Sequence, residues 1–343
     1  MRTRVLLLCF ALLLTIVFST VARARHLAAP LNSQWQRYVG NPILTKSVSG
    51  WDSSETYPGA ALSDAAQYKM WFLGRDTGYV YSIGYAISDD GLNWAKHAGN
   101  PVMTIGNDGD NLGPASVIQR NGIYHMWYTI HNVYPNPPSI GYAFSIDGID
   151  WIKYSSNPVL KGTPSAWDRG GVSSPAVIYD GMYKMWYAGD ATIGGAQRIG
   201  YATSHDGIVW TKYSGNPVID RGSLGSWDDS RVFPGTVVAW NGIYELWYTG
   251  VNRTEPVSRI GRATSADGIS WVKDQSNPII DVGPAGMWDE KSVVRPMVLL
   301  QGGQHMMWYG GFGNSSNTAI GLATKAIPPT YKIYLPALLK AGK

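Results

Sequence analysis

The 343-residue chain has one cysteine, Cys9, and it lies inside the only long hydrophobic run. An intrachain disulfide is excluded, and removing that run would leave no thiol chemistry at all. Only 15% of residues are charged, with no dense Lys/Arg cluster, which argues against a groove that tracks a nucleic-acid backbone. No stretch carries a long helical period. The histidines (His26, His97, His125, His131, His205 and His305) form neither HExxH nor a compact facial set, so no transition-metal site is expected. There is no GxSxG elbow, and the glycine-rich turns do not follow the phosphate-binding strand–loop–helix order.

What is abundant is glycine (40), tyrosine (21) and tryptophan (15), a composition suited to many short strands joined by tight turns. The start reads as a signal peptide over 1–24: Arg2 and Arg4 are followed by the apolar Val5 to Val17 and by the small-x-small site Ala22-Arg23-Ala24. An uncleaved anchor helix is the competing reading. Cleavage removes three arginines and takes the formal charge from +4 to +1, so the basic balance says little about partners. The mature chain is expected to be secreted or extracytoplasmic, or to sit at the cell surface, with no membrane insertion of its folded domain.

Asn-Pro pairs begin at Asn41, Asn100, Asn157, Asn216 and Asn277, a period near sixty. Each unit holds a polar turn, usually with Trp-Asp, and then a strand opened by Pro58, Pro114, Pro175, Pro234 or Pro296. Next come an aromatic strand (YKMWFLG, YHMWYT, YKMWYAG, YELWYTG, HMMWYGG) and a small-residue strand such as IGYAIS. Four copies of SxDGxxW follow, at Asp90, Asp147, Asp206 and Asp267. Asp and Gly there supply a hairpin turn and Trp returns along the outer strand, which makes the copies structural rather than catalytic.

The fifth copy is missing after Lys325. Trp35 precedes Asn41 by the same six residues that separate Trp94 from Asn100, so an N-terminal strand completes the last sheet. The expected fold is all-β: a five-bladed β-propeller over 33–326, with four-stranded antiparallel blades and the N-terminal strand closing the last blade. A linker covers 25–32 and a tail covers 327–343. The tail's YLP-plus-apolar ending resembles C-terminal tails of some exported bacterial proteins, and it is too short to span a bilayer. A monomer is expected.

Residues that break the repeat are the candidates for chemistry in an axial funnel. Glu55, Asp110 and Asp229 are the catalytic candidates: Glu55 as proton donor, Asp110 as base partner and Asp229 to tune it. Tyr57, Arg231, Phe233, Glu290 and Arg295 are candidates for binding a hydroxyl-rich oligo- or polysaccharide. Asp52, Asp168, Asp228 and Asp289 repeat beside tryptophans and read as turn caps. Retaining glycosidases need carboxyl groups about 5–5.5 Å apart and inverting ones about 6.5–9.5 Å. No cofactor is required; the oxygen-rich Asp108-Gly109-Asp110-Asn111 could contribute to a structural Ca²⁺ site.

The pattern over 33–326 resembles the five-bladed arabinanase, levansucrase and invertase-like superfamily. That resemblance implies a glycoside hydrolase-like activity using acidic residues from the first strands of the early blades, onto which Glu55 and Asp110 fall. The third unit, VSSP, departs from it: Ser173 and Ser174 stand where an acid is expected. WMNDPNG-like and RDP motifs are absent. A non-catalytic carbohydrate-binding propeller and a protein-interaction scaffold are therefore the alternatives to an extracytoplasmic glycosidase.

Overall fold

The computed structural model describes residues 34–64, 67–106, 111–131, 135–314 and 318–327. The signal peptide, the linker, Asp108 to Asp110 and the tail beyond Ile327 lie outside them. Five antiparallel sheets stand around an axis, and no helix occurs among the described residues. The inner strands are Glu55–Ser63, Asn111–Arg120, Gly171–Tyr179, Arg231–Trp240 and Ser292–Gln301. Each inner strand contacts the next, and the fifth contacts the first, so the ring is closed. The chain is a five-bladed β-propeller.

Closure happens at the seam foreseen from Trp35. Gln36–Arg37 pairs antiparallel with Thr318–Ala326, in the register Gln36↔Thr324 and Arg37↔Ala323. Asn41 then bonds both backbone groups of Leu322, accepting from its N–H at 2.8 Å and donating to its C=O at 2.9 Å. Asn100, Asn157, Asn216 and Asn277 grip Tyr85, Tyr142, Tyr201 and Arg262 in the same way. The Asn amide thus stands in for a strand's peptide group at the blade edge.

The SxDGxxW turns hold the ring together. Asp90 Oδ1 accepts from the amides of Leu92 and Asn93 at 2.8 Å, and its three counterparts do the same. Those amide bonds hold each of these carboxyls below the usual range. The turn glycine's carbonyl is also the acceptor for a buried tryptophan of the preceding blade. Trp71 reaches Gly148, Trp127 reaches Gly207, Trp186 reaches Gly268 and Trp308 reaches Gly91, at 2.7–2.9 Å. All four indoles are 0% exposed. A net hydrogen bond contributes about 0.5–1.5 kcal/mol, but an indole N–H buried without an acceptor costs about 1–3 kcal/mol, so these contacts select the register between blades.

The small residues have a packing reason. Trp51, Trp167, Trp227 and Trp288 of the Trp-Asp turns lie against paired glycines, Gly74/Gly84, Gly189/Gly200, Gly250/Gly261 and Gly311/Gly321. The neighbouring aspartates are buried and meet a cation from the outer strand: Lys96 on Asp52, Lys212 on Asp168, Lys273 on Asp228 and Arg37 on Asp289. They are structural, as their repetition suggested. A Cβ on Gly261 would sit 2.7 Å from both the Trp227 and Tyr248 rings. Gly261→Ala should cost ~1–3 kcal/mol through overpacking, read as a lower urea midpoint with unchanged slope.

Candidate active site

The axis is pinched where the inner-strand prolines meet: Pro58, Pro114, Pro175, Pro234 and Pro296 surround only about 10 Å³ of free space. The inner strands begin on one side of this constriction; on the other side the rest of those strands line a cavity of about 330 Å³, largely with apolar residues. Chemistry therefore concentrates at the mouth where the inner strands begin.

Cross-strand register defines that mouth. The first residue of each inner strand faces the last residue of the second strand: Glu55↔Arg75, Asn111↔His131, Gly171↔Asp190, Arg231↔Val251 and Ser292↔Phe312. No two of these pairs are alike. Four residues deeper along the second strand, every blade has the same buried tryptophan. The repeat stops where the funnel begins.

In blade 1, Glu55 forms an ion pair with Arg75 and accepts from the Tyr81 hydroxyl at 2.6 Å. Burial, then the Glu55 bond, push the Tyr81 phenol up to about 12. Tyr57 is buried, its ring 5.4 Å from Phe312 and 4.6 Å from the Arg295 guanidinium. Arg295 Nη1 has no partner among the described residues. Burial lowers the Arg295 pKa, opposed by the oxygens of Tyr57, Tyr81 and Glu55. His131 is solvent-accessible within the crowded mouth; that crowding, then the Arg295 charge, lower its pKa to about 4, leaving a neutral imidazole at pH 7.

Blade 3 carries its carboxyl on the second strand, not on the inner one. Asp190, 4% exposed, ends the second strand opposite Gly171, and Pro138 fills the place a side chain on Gly171 would take. Its Oδ1 has no partner among the described residues. Burial raises its pKa to about 6, against the amides of Gly195 and Gly194 and the Arg231 charge.

Glu55, Tyr57 and Arg295 are thus brought together, and Arg231 faces Asp190. Phe233 is half-buried two residues inside Arg231. Asp110 lies outside the described residues. Asp229 accepts from the amides of Gly225 and Arg253 at 2.9 and 2.8 Å, bonds that depress its pKa, and Glu290 accepts from the Gly286 amide. Both carboxylates hold loops. Arg75, Tyr81, His131 and Asp190 were not foreseen. The signal for Arg75, His131 and Asp190 was the residue ending each aromatic strand, one or two places beyond the repeated letters, whereas Tyr81 opens the third strand of its blade.

The prolines are not equivalent either. In blades 3 and 5 the proline sits one place later in the bulge, and Ser174 and Arg295 take the place of Pro58. Both adopt left-handed backbone, φ 50° and 54°, which proline cannot. Their freed amides donate to Thr129 and Thr249 Oγ1 of the preceding blade, each at 2.9 Å. Thr249→Val should strand the Arg295 amide and cost ~1–3 kcal/mol in chemical denaturation, with Thr129→Val giving a matching loss at Ser174.

The fold defines the class, a five-bladed β-propeller, and solved glycoside hydrolases share that fold. A glycosyl hydrolase structure from Bacteroides ovatus superposes with a TM-score of 0.69 at 18% identity, over 84% of this chain and 93% of that one. The β-1,2-mannobiose phosphorylase of Listeria innocua, solved with β-1,2-mannobiose, gives 0.67 at 14% identity, over 85% and 96%. No protein-family model matches the chain. Within the class, the chain belongs to one family with the uncharacterised protein MT1551 of Mycobacterium tuberculosis, 31% identical over 271 residues, 75% of this chain and 87% of that protein.

Proposed function

We propose that the protein cleaves a glycosidic bond in an oligo- or polysaccharide at the mouth where the inner strands begin, with Asp190 as the proton donor. The observation that carries this reading is the buried Asp190 carboxyl, its Oδ1 without a partner among the described residues, at the end of the ring where no two blades share a strand pair. A carboxyl with a pKa of about 6 is poised to give its proton to a leaving oxygen near neutral pH. Glu55, fixed by Arg75 and Tyr81, supplies an ionised carboxylate to orient water or stabilise positive charge on the sugar. Arg231 and Arg295 bind substrate oxygens, and Tyr57, Phe233 and Phe312 form the apolar wall. Asp110 keeps its proposed role as a further base. This scheme requires no cofactor, and it is compatible with a structural Ca²⁺ at 108–111.

Arg295, with Nη1 unpaired beside neutral His131, favours a second reading in which inorganic phosphate replaces water as the acceptor. The N-terminal pattern supports an extracytoplasmic setting, with the protein acting as a monomer.

The test is product detection on a panel of arabino-, xylo-, fructo-, galacto- and mannosides, with and without phosphate. Since the donor must be protonated, turnover should fall as pH rises through about 6. Asp190→Asn should lower kcat by at least ~10²-fold and abolish that limb, and Glu55→Gln should lower kcat with the limb retained. Wild-type turnover in Asp190→Asn would end the assignment. An N-terminus at Arg25 on protein recovered outside the cytoplasm would support export.

A further inference from the structure

The ring has one Asp-Gly turn too few. The third strand of the last blade ends at Ala326 and its outer strand is Gln36–Arg37, so among the described residues no turn glycine stands between blades 4 and 5. Trp35 replaces the hairpin tryptophan, edge-on to Trp247 at 5.4 Å. Nothing among the described residues replaces the glycine carbonyl. Trp247, 1% exposed, is the member of the buried tryptophan set whose Nε1 has no acceptor there. His305, 7% exposed, bonds Glu245 through Nε2 at 3.0 Å and leaves Nδ1 unpaired, and Arg262 Nε is also unpaired. These groups line a cavity of about 300 Å³ with Trp240 and Lys325.

The side chains around this gap depart from the other blades together. His305 occupies the place of Tyr68, Tyr124, Tyr183 and Tyr244; Arg262 occupies that of Tyr85, Tyr142 and Tyr201. Glu245 stands where Lys69 and Lys184 reach the next blade's tyrosine. A cavity meant for another peptide turn would have kept the tyrosines that meet turn glycines elsewhere, as Tyr124 meets Gly148.

We propose that this seam cavity is a second carbohydrate-binding site, taking the end of a neutral saccharide. Sugar hydroxyls both accept and donate. They can receive the unpaired Trp247 Nε1–H and Arg262 Nε–H, and can pair with His305 Nδ1 in either direction. The half-buried indole of Trp240 lines the cavity as apolar surface for the sugar's C–H faces. Charge excludes an anion: Arg262 is bound by Glu245 and Asp274, and these two carboxylates balance Arg262 and Lys325. Burial would raise the Glu245 pKa, but His305 and Arg262 outweigh it and hold it at about 2. The volume lies at the low end of ligand cavities, ~300–1,000 Å³, suited to a chain end. The site is separate from the catalytic mouth: Trp240 ends an inner strand whose first residue, Arg231, lies at that mouth, roughly 30 Å of strand away. It stands independently of whether the mouth is catalytic.

Calorimetry and saturation-transfer NMR on the full mature chain, with methyl arabinoside, xyloside, glucoside, galactoside and mannoside as probes, test it. At least one probe should bind saturably to both wild type and Asp190→Asn. Trp247→Phe, which removes the indole N–H, and Trp240→Ala, at the half-buried rim, should each weaken that binding about tenfold, equivalent to ~1.4 kcal/mol. Circular dichroism would confirm that both variants fold. No saturable binding of any probe, or binding lost in Asp190→Asn but kept in Trp247→Phe, would overturn the proposal. So would binding that appears only after removal of residues 328–343, since the cavity would then belong to the chain itself.

Discussion

The buried indole that donates to a turn glycine of the next blade is the contact on which the ring depends. A propeller blade has no hydrophobic face of its own large enough to stand alone, so blades must pack on each other, and apolar packing by itself is tolerant of sliding. The indole N–H removes that tolerance. At 2.7–2.9 Å it has an acceptor only in one relative position of the two blades, and a small slip leaves a polar group buried and unpaired. Tight turns of Ser, Asp and Gly, each with its carboxylate spent on backbone amides, present the acceptor rigidly. Glycines under the Trp-Asp turns then let a second tryptophan close over four of the five blades.

A scaffold fixed this way can spend its remaining positions freely. The five strand pairs at the mouth begin Glu55/Arg75, Asn111/His131, Gly171/Asp190, Arg231/Val251 and Ser292/Phe312, and share nothing but their register. Two strained residues, Ser174 and Arg295, lie in the bulges just inside, each held by a threonine from the preceding blade. Strain of about 1–3 kcal/mol per residue persists only where the surroundings over-determine it, and at Arg295 it turns a cation over Tyr57 toward Glu55. The seam shows the converse. Splitting the last blade secures the ring with both ends of the propeller, but it deletes one acceptor, and the polar groups around the gap have diverged from the repeat.

Sequence periodicity determined the fold, the blade count and the closing strand, because each is written in local spacing: Asp-Gly to Trp, Trp to Asn-Pro, and the orphaned Trp35–Asn41 half-repeat. It also separated the repeated aspartates, now seen beneath lysines or Arg37, from the variable residues, and it placed Glu55, Tyr57 and Arg295 in one group. Alignment on the prolines went astray in blades 3 and 5. A bulge accommodates two residues against one, and only hydrogen-bond register says which of the two is the proline. Asp229 and Glu290 broke the pattern in sequence, yet their oxygens turn to loop amides. Asp190 could be singled out only after folding, because its raised pKa comes from burial, set against loop amides and the charge of Arg231 some forty residues away. Spacing along a chain records which strands pair; it does not record which ends meet around an axis, and that convergence is what the tertiary structure decided.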